Sequence, residues 1–121
     1  MIEFLPQNDG KLVALNFDGK ISHEEFEALA PMIDAQIEKD GGEICLLLDL
    51  VDFEGYEDLH ALWEHFVIVK NHHKSVRRIA IVGDEEWERR FAQLANQFSL
   101  AEVGYYASGE MAAAVNWLAG V

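Results

Sequence analysis

Four acidic side chains stand where the chain leaves two apolar runs that are predicted to form buried strands. Asp49, Asp52 and Glu54 lie at the end of the first run, and Asp84 follows the second. Because ligands of an open α/β sheet meet the carboxyl ends of its strands, these carboxylates are candidates for acid–base chemistry or for holding a cation. Aspartates also end strands and cap helices in solvent, and we favour this simpler role because no catalytic motif surrounds the four residues.

The histidines do not supply the ligands that a metal site would need. His60 and His65 differ by about 500° of helical rotation, so they do not share a helix face. His72 precedes another histidine within a basic cluster that runs from Lys70 to Arg78. These cations can stabilise the end of a helix, or they can bind an anion or an acidic partner, and both alternatives stay open. We predict no metal ligand.

Motifs of enzymes that use a phosphate loop or a serine nucleophile are missing from the sequence. Gly41 and Gly42 precede a predicted strand rather than a helix, and no Gly-x-Ser-x-Gly elbow occurs. The one cysteine, Cys45, lies in an apolar run, which is typical of a small buried hydrophobe in a reducing compartment. The sequence thus predicts a cytoplasmic protein with no catalytic residue and no cofactor.

Aromatic residues are the remaining signal, and they gather after the run 44–51. Trp63 and Phe66 lie on a predicted helix and are expected in the core, whereas Phe53 and Tyr56 lie in a predicted loop and are expected to be exposed. An apolar groove between this helix and its neighbour could hold a lipid-like ligand or a partner helix.

The composition indicates how many domains the chain forms and which classes of partner it can bind. The chain has 121 residues, of which 50% are hydrophobic and 26% charged, with a net charge of -13. These values predict one folded domain over 1–121. The negative charge argues against binding to nucleic acids or anionic membranes. No apolar run reaches the ~20 residues of a membrane span, and we expect no signal peptide because residues 1–4 do not form a basic segment followed by an apolar one.

Short apolar runs alternate with helical patterns along the chain, which is typical of an α/β domain with a mainly parallel sheet. A turn at residues 8–10 predicts that the first two strands form an antiparallel hairpin. The runs 44–51 and 79–82 lack polar alternation, so they should be adjacent, parallel and buried on both faces. The last strand is predicted at 103–106, which gives five strands in total.

Four helices are predicted between and after these strands. Ser22 and Glu25 form a capping box at the start of the first helix, and Pro31 should kink it. Asp84 and Ser108 are expected to cap the third and fourth helices. The predicted inner side of the second helix carries Leu59, Leu62, Trp63 and Phe66, with Val69 or Lys70 as the next residue on that side. The predicted inner side of the third helix carries Trp87, Phe91, Leu94, Ala95 and Phe98.

The sequence resembles the bacterial SpoIIAA-like family, small proteins related to the STAS anti-sigma-factor antagonists. The resemblance covers almost the whole chain. It lies in the segments Met1-Ile2-Glu3-Phe4-Leu5-Pro6, Asp18-Gly19-Lys20-Ile21, Leu47-Leu48-Asp49-Leu50-Val51-Asp52-Phe53-Glu54-Gly55, Ala61-Leu62-Trp63, and Arg78-Ile79-Ala80-Ile81-Val82-Gly83-Asp84 with Trp87. It implies a β-α superhelix, an architecture shared with lipid-carrying CRAL-TRIO domains, and it implies no established activity.

The chain departs from the antagonists at their regulatory loop. They carry a phosphorylated serine in an Asp-Ser-Ser-Gly motif, whereas the similar place here reads Asp52-Phe53-Glu54-Gly55. This segment contains no serine or threonine, so the resemblance implies no phosphorylation switch. The simpler interpretation, which we favour, is that Glu54 is an ordinary solvated glutamate; the alternative hypothesis is that it supplies a permanent charge in place of the phosphate.

These observations predict a non-enzymatic regulatory module that binds an unidentified protein partner. The expected contact residues are Asp52, Phe53, Glu54, Gly55, Tyr56 and Trp63. The alternative is a carrier or sensor of a small hydrophobic, lipid-like ligand. The second helix is also a candidate surface for a homodimer.

Overall fold

The computed structural model describes residues 1–5, 11–39, 41–98 and 102–120, apart from the side chains of residues 62, 66, 70, 73, 91, 94–96 and 98. In these residues the chain forms seven strands and four α-helices. The strands are β1 (Ile2–Phe4), β2 (Leu12–Phe17), β3 (Gly19–Ile21), β4 (Ile44–Asp49), β5 (Phe53–Tyr56), β6 (Val76–Val82) and β7 (Glu102–Tyr106). The helices are α1 (His23–Lys39), α2 (Leu59–His72), α3 (Glu86–Phe98) and α4 (Met111–Leu118).

Five strands form the main sheet in the order β1-β2-β4-β6-β7. β1 runs antiparallel to β2, and every other neighbouring pair is parallel. This arrangement confirms the predicted fold class, a mainly parallel five-stranded sheet with an N-terminal hairpin and four helices. It also confirms that β4 and β6 are adjacent, parallel and away from the sheet edges, although only Ile44 and Leu47 of β4 are fully buried. The turn predicted at residues 8–10 lies outside the described residues.

A second, two-stranded sheet was not predicted from the sequence. β3 pairs with β5 in parallel, with Gly19 opposite Phe53 and Ile21 opposite Tyr56. The interpretation of residues 52–55 as a loop was therefore wrong, since Phe53, Glu54 and Gly55 lie in a strand. The pairing is formed with a distant segment of the chain, and a four-residue strand that contains a glycine gives no periodic signal.

The helices are divided unequally between the two faces of the main sheet. Val13, Leu15 and Phe17 of β2 belong to the core under α1 and α2, whereas the intervening Ala14 belongs to the core under α4. This alternation follows from the period of two along a strand. α3 packs on β7 beside Val103, which faces the same side as α1 and α2. Three helices thus cover one face and α4 covers the other.

The start of α1 is held by the predicted capping box. The backbone N–H of Ser22 donates to Oε2 of Glu25 over 3.0 Å, and the N–H of Glu25 donates to Oγ of Ser22 over 3.3 Å. The helix continues through Pro31, which is exposed, to Lys39. At the start of α2, Oδ1 of Asp58 accepts the N–H of Ala61 over 2.9 Å, which is an N-cap hydrogen bond.

The predicted cap of α3 was wrong. Oδ1 of Asp84 accepts the backbone N–H of Ser108 over 3.1 Å, so this carboxylate joins the ends of β6 and β7 instead of capping its own helix. Oε1 of Glu88 accepts the N–H of Glu85 over 3.1 Å and takes the capping position at the start of α3. A glutamate three residues into a helix can reach back in this way.

The cap predicted after β7 was also assigned to the wrong residue. A short 3-10 helix, Ser108–Glu110, leads into α4. Oε1 of Glu110 accepts the backbone N–H of Ala107 over 2.9 Å, so the glutamate three residues on stabilises this turn instead of the predicted Ser108.

Candidate functional site

The segment after β4 is fixed between the two sheets. The N–H of Leu50 donates to the carbonyl of Val82, and the carbonyl of Asp52 accepts the N–H of Gly19, each over 2.8 Å. Oδ1 of Asp49 accepts the N–H of Val51 over 3.2 Å and so holds the turn. The segment is therefore a rigid connection between β4 and β5.

The four carboxylates noted in the sequence have different surroundings at the carboxyl ends of the strands. Asp49 holds a turn, Asp84 bonds to the backbone of a neighbouring connection, and Asp52 and Glu54 are exposed. Across the part of the chain that the structure describes, no three histidine, cysteine or acidic residues are placed to share a metal ion.

Phe53 and Tyr56 are partly buried, contrary to the expectation that both are exposed. The ring of Phe53 lies 5.9 Å from that of Phe17 and 5.6 Å from that of Tyr56, measured between centroids. Both aromatic residues pack against the core under α1 and α2. Glu54, between them, is exposed. Strand β5 thus holds Glu54 in solvent between two packed aromatic residues.

A tyrosine–histidine pair joins β5 to α2. Oη of Tyr56 and Nδ1 of His65 are 2.6 Å apart and hydrogen-bonded. The imidazole of His65 stacks on Phe26 of α1, with centroids 4.9 Å apart and an interplanar angle of 8°. Burial lowers the pKa of His65 to about 4, so the imidazole is neutral at pH 7, and burial raises the pKa of Tyr56.

Two further histidine contacts join α2 to α1. His23 and His60, at the starts of the two helices, stack with centroids 3.8 Å apart. At the other end of α2, Nδ1 of His72 lies 2.7 Å from the carbonyl oxygen of Ile68, and its Nε2 lies 2.6 Å from Oδ1 of Asp34. With the Tyr56–His65 pair, these contacts fix the rotation of α2 about its axis.

The predicted inner face of α2 was wrong. Ala61, Ile68 and His72 are buried, and their spacing places them on one side of the helix. Leu59 is 82% exposed and Trp63 is 60% exposed, so neither lies in the core as predicted. The side chains of residues 62 and 66, also predicted to face inward, lie outside the described residues. The prediction followed the largest hydrophobic residues, whereas the real face carries an alanine and two histidines.

Exposed apolar and acidic side chains lie on the elements at the carboxyl edge of the sheet. We call the exposed side chains of Asp52, Glu54, Leu59, Trp63 and Trp87 the carboxyl-edge surface. The Trp87 ring, predicted to be core, is 53% exposed and lies 6.5 Å from that of Phe53, which links α3 to β5. From residue 51 to residue 65 the sequence contains five acidic residues and no lysine or arginine. The surface is therefore apolar and negatively charged.

A buried glutamate that sequence reasoning missed supports this edge. Glu88 is 1% exposed, its Oε1 lies 3.5 Å from Oη of Tyr105, and its Oε2 has no hydrogen-bond partner among the described atoms. Burial raises the pKa of the Glu88 carboxyl and raises that of Tyr105 to about 12. The carboxyl lies directly over Gly83, which leaves room for it. In the sequence, the glycine at position 83 and the glutamate five residues later were the features from which this contact could have been inferred.

Two cavities lie at other places in the fold than α2, as judged by their described lining residues. One, of about 410 Å³, lies at the amino ends of the strands beside α4, and the other, of about 290 Å³, lies between α3 and β7. Among the residues whose side chains are described, α2 contributes none to either lining.

Comparison with known proteins identifies the family resemblance independently. The family model described as SpoIIAA-like matches residues 12–119. An uncharacterised protein with a SpoIIAA-like fold from Shewanella loihica PV-4 superposes with a TM-score of 0.81 at 27% sequence identity, covering 98% of this chain and 92% of that one. No curated protein matches the sequence. Within the described residues, no helix has the length and apolar character needed to cross a membrane.

Proposed function

Because the chain belongs to the SpoIIAA-like family, we propose that it is a non-enzymatic, cytoplasmic regulatory module, folded as one domain, that binds a protein partner through the carboxyl-edge surface. The observation that carries the proposal is the orientation of α2, which leaves the side chains of Leu59 and Trp63 more than half exposed. Exposed aromatic residues of this size are enriched at the centres of protein interfaces.

The charge of the surface indicates the chemistry of the partner. Asp52 and Glu54 are exposed on the same edge as Leu59 and Trp63, and Glu57 and Asp58 lie between them in the chain. A partner that places apolar side chains on Leu59 and Trp63 would be attracted if it also carries lysine or arginine around them. We therefore expect a positively charged, amphipathic segment as the bound element.

Glu54 gives this module a fixed charge where related antagonists carry a phosphorylated serine. Its neighbours Phe53 and Tyr56 are packed, so the position of Glu54 follows from the pairing of β5 with β3. A carboxylate bears about half or more of the charge that a phosphate would add. We therefore propose that binding does not depend on phosphorylation of this segment.

The alternative function is carriage or sensing of a small hydrophobic, lipid-like ligand in a groove beside α2; the described lining residues of the two cavities given above include none from α2. A homodimer formed through α2 competes with a foreign partner for the same surface. If the homodimer forms, the partner is a second copy of this chain, and the interface still lies on the carboxyl-edge surface.

Native mass spectrometry of the protein purified from its own host tests the proposal. We expect a complex that is lost in the double variant Leu59→Ser/Trp63→Ser. Met32→Ser is the matched control, since it removes an exposed apolar side chain from α1, and it should retain the complex. A complex of the same mass and abundance in all three proteins would refute the location of the interface, and a mass of two chains would identify the homodimer.

A further inference from the structure

The cavity of about 410 Å³ lies at the opposite edge of the sheet from the carboxyl-edge surface. Its apolar lining comes from the first residues of two strands, including Leu12 and Cys45, and from Val115 and Leu118 of α4. The volume is in the range of about 300–1,000 Å³ that is typical of small-molecule sites. We call this cavity the amino-edge pocket.

Two cations line the amino-edge pocket, although the chain has only 9 lysine and arginine residues against 22 acidic ones. Lys11 is fixed beside Cys45, because its carbonyl accepts the N–H of Cys45 over 2.8 Å. Arg77 lines the pocket from β6, which is separated from β2 by β4 in the main sheet. Glu43 is the one carboxylate among the described lining residues. The pocket therefore carries a local positive charge within an acidic protein.

An irregularity in the sheet places Arg77 at the pocket. Ile44 pairs with Val76, but Cys45 pairs with Arg78, so Arg77 is an extra residue in β6. A bulge of this kind changes the direction of a side chain and often occurs beside functional sites.

The adjacent arginine holds the wall of the pocket. Nη1 of Arg78 donates to the carbonyl of Trp117 over 2.6 Å, and its guanidinium lies over the Trp117 ring, 5.1 Å from the centroid. These contacts fix the last turn of α4, and the next residue, Leu118, lines the pocket. Arg78 is thus a positioning residue, whereas Arg77 and Lys11 are available to a ligand.

We propose that the amino-edge pocket binds a small carboxylate that carries an aliphatic chain. The carboxylate would contact Lys11 and Arg77, and the chain would lie on Leu12, Val115 and Leu118. At physiological ionic strength, screening beyond about 8 Å weakens the repulsion from the rest of this acidic protein, so the two nearby cations dominate. This inference concerns the other edge of the sheet and does not depend on the proposed partner interface.

The single cysteine of the chain reports on the pocket directly, because Cys45 is part of its lining. The experiment follows alkylation of Cys45 by N-ethylmaleimide in about 0.15 M salt, with octanoate as the probe. We expect octanoate to slow alkylation with an apparent Kd on the order of 0.1 mM, as for a ligand of about ten heavy atoms. Octanol, which lacks the charge, and acetate, which lacks the chain, should each protect at least about fivefold less well.

Charge variants locate the carboxylate. Arg77→Gln and Lys11→Gln should each weaken octanoate binding by about threefold to fivefold, because exposed ion pairs are worth up to about 1 kcal/mol. Glu43→Gln should strengthen it by about twofold through the loss of one repulsion. Lys74→Gln, which removes an equal charge from an exposed residue outside the lining, should leave it unchanged. Equal protection by octanol and octanoate, an equal effect of Lys74→Gln, or no protection by octanoate would each overturn the proposal.

Discussion

Replacement of Gly83 by alanine tests whether the buried carboxyl of Glu88 shapes the end of β6. An added Cβ would lie 2.3 Å from Oε1 of Glu88, 3.0 Å from its Cδ and 3.2 Å from its Oε2. Glu88 is buried, so its carboxyl cannot simply move into solvent. It would have to leave the N–H of Glu85 that it caps. Overpacking of this kind costs about 1–3 kcal/mol, and we expect a loss of about 2 kcal/mol in the free energy of unfolding.

The sign of the effect should reverse once Glu88 is removed. The three atoms nearest to the added Cβ all belong to Glu88, and Gly83 does not have a positive φ. In the background Glu88→Ala, Gly83→Ala should therefore stabilise the protein by about 0.5 kcal/mol, because alanine reduces the conformational entropy of the unfolded chain. The two substitutions should thus be coupled by about 2.5 kcal/mol.

Urea denaturation of the four proteins measures this cycle. With a slope of about 1–3 kcal/mol per molar urea, the single Gly83→Ala variant should lose roughly 1 M in its midpoint. Additive effects in the cycle, within about 0.5 kcal/mol, would refute the argument from the Gly83–Glu88 contact. The same cycle with Gly109→Ala, where no atom lies within 4 Å of the added Cβ, is the control and should show no coupling.

Three further predictions concern the joint between β5, α1 and α2. In the folded protein the pKa of His65 is about 4, whereas in the unfolded chain it is about 6.5. Because the unfolded chain binds the proton more readily, the free energy of unfolding should fall as the pH drops from about 6.5 to about 4. The loss should reach about 2 kcal/mol at pH 5. His65→Phe should reduce this dependence in urea titrations, and His60→Gln should retain it. Glu54→Ser should change stability by less than about 0.5 kcal/mol but weaken partner binding by more than about tenfold if its charge is recognised; unchanged binding would exclude that role. Gly55→Ala should cost about 1 kcal/mol because Gly55 has φ +107°, and an unchanged urea midpoint would contradict this strain.

The sequence predicted the main sheet because its strongest patterns coincide with the interior strands. The runs that became β4 and β6 are apolar on both faces, and few other structures accept such runs. The capping box at Ser22 was predicted correctly because it depends on only four consecutive residues. The β3–β5 pairing depends on two segments far apart in the chain, and neither contains a regular alternation that would reveal it.

The sequence predicted where the segment after β4 lies, whereas the role of its residues in binding stays a prediction. The segment with Asp52 and Glu54 does lie at the carboxyl edge, but the packing of its aromatic residues was reversed: Phe53 and Tyr56 are packed, and Trp63 is in solvent. The reason is that α2 uses His65 and His72 on its inner side, where hydrogen bonds to Tyr56 and Asp34 compensate for burial of the imidazoles. A hydrophobicity pattern contains no information about such pairs.

The order of the strands in the sheet has a consequence for the synthesis of the protein. From β2 onward, each strand of the main sheet lies beside the one that precedes it in the chain, and the intervening helices all cover the same face. Every new strand–helix unit can therefore add to an edge that earlier residues have already formed. The chain needs no late insertion between existing strands, so it can assemble in the order in which it leaves the ribosome, with α4 closing the second face last.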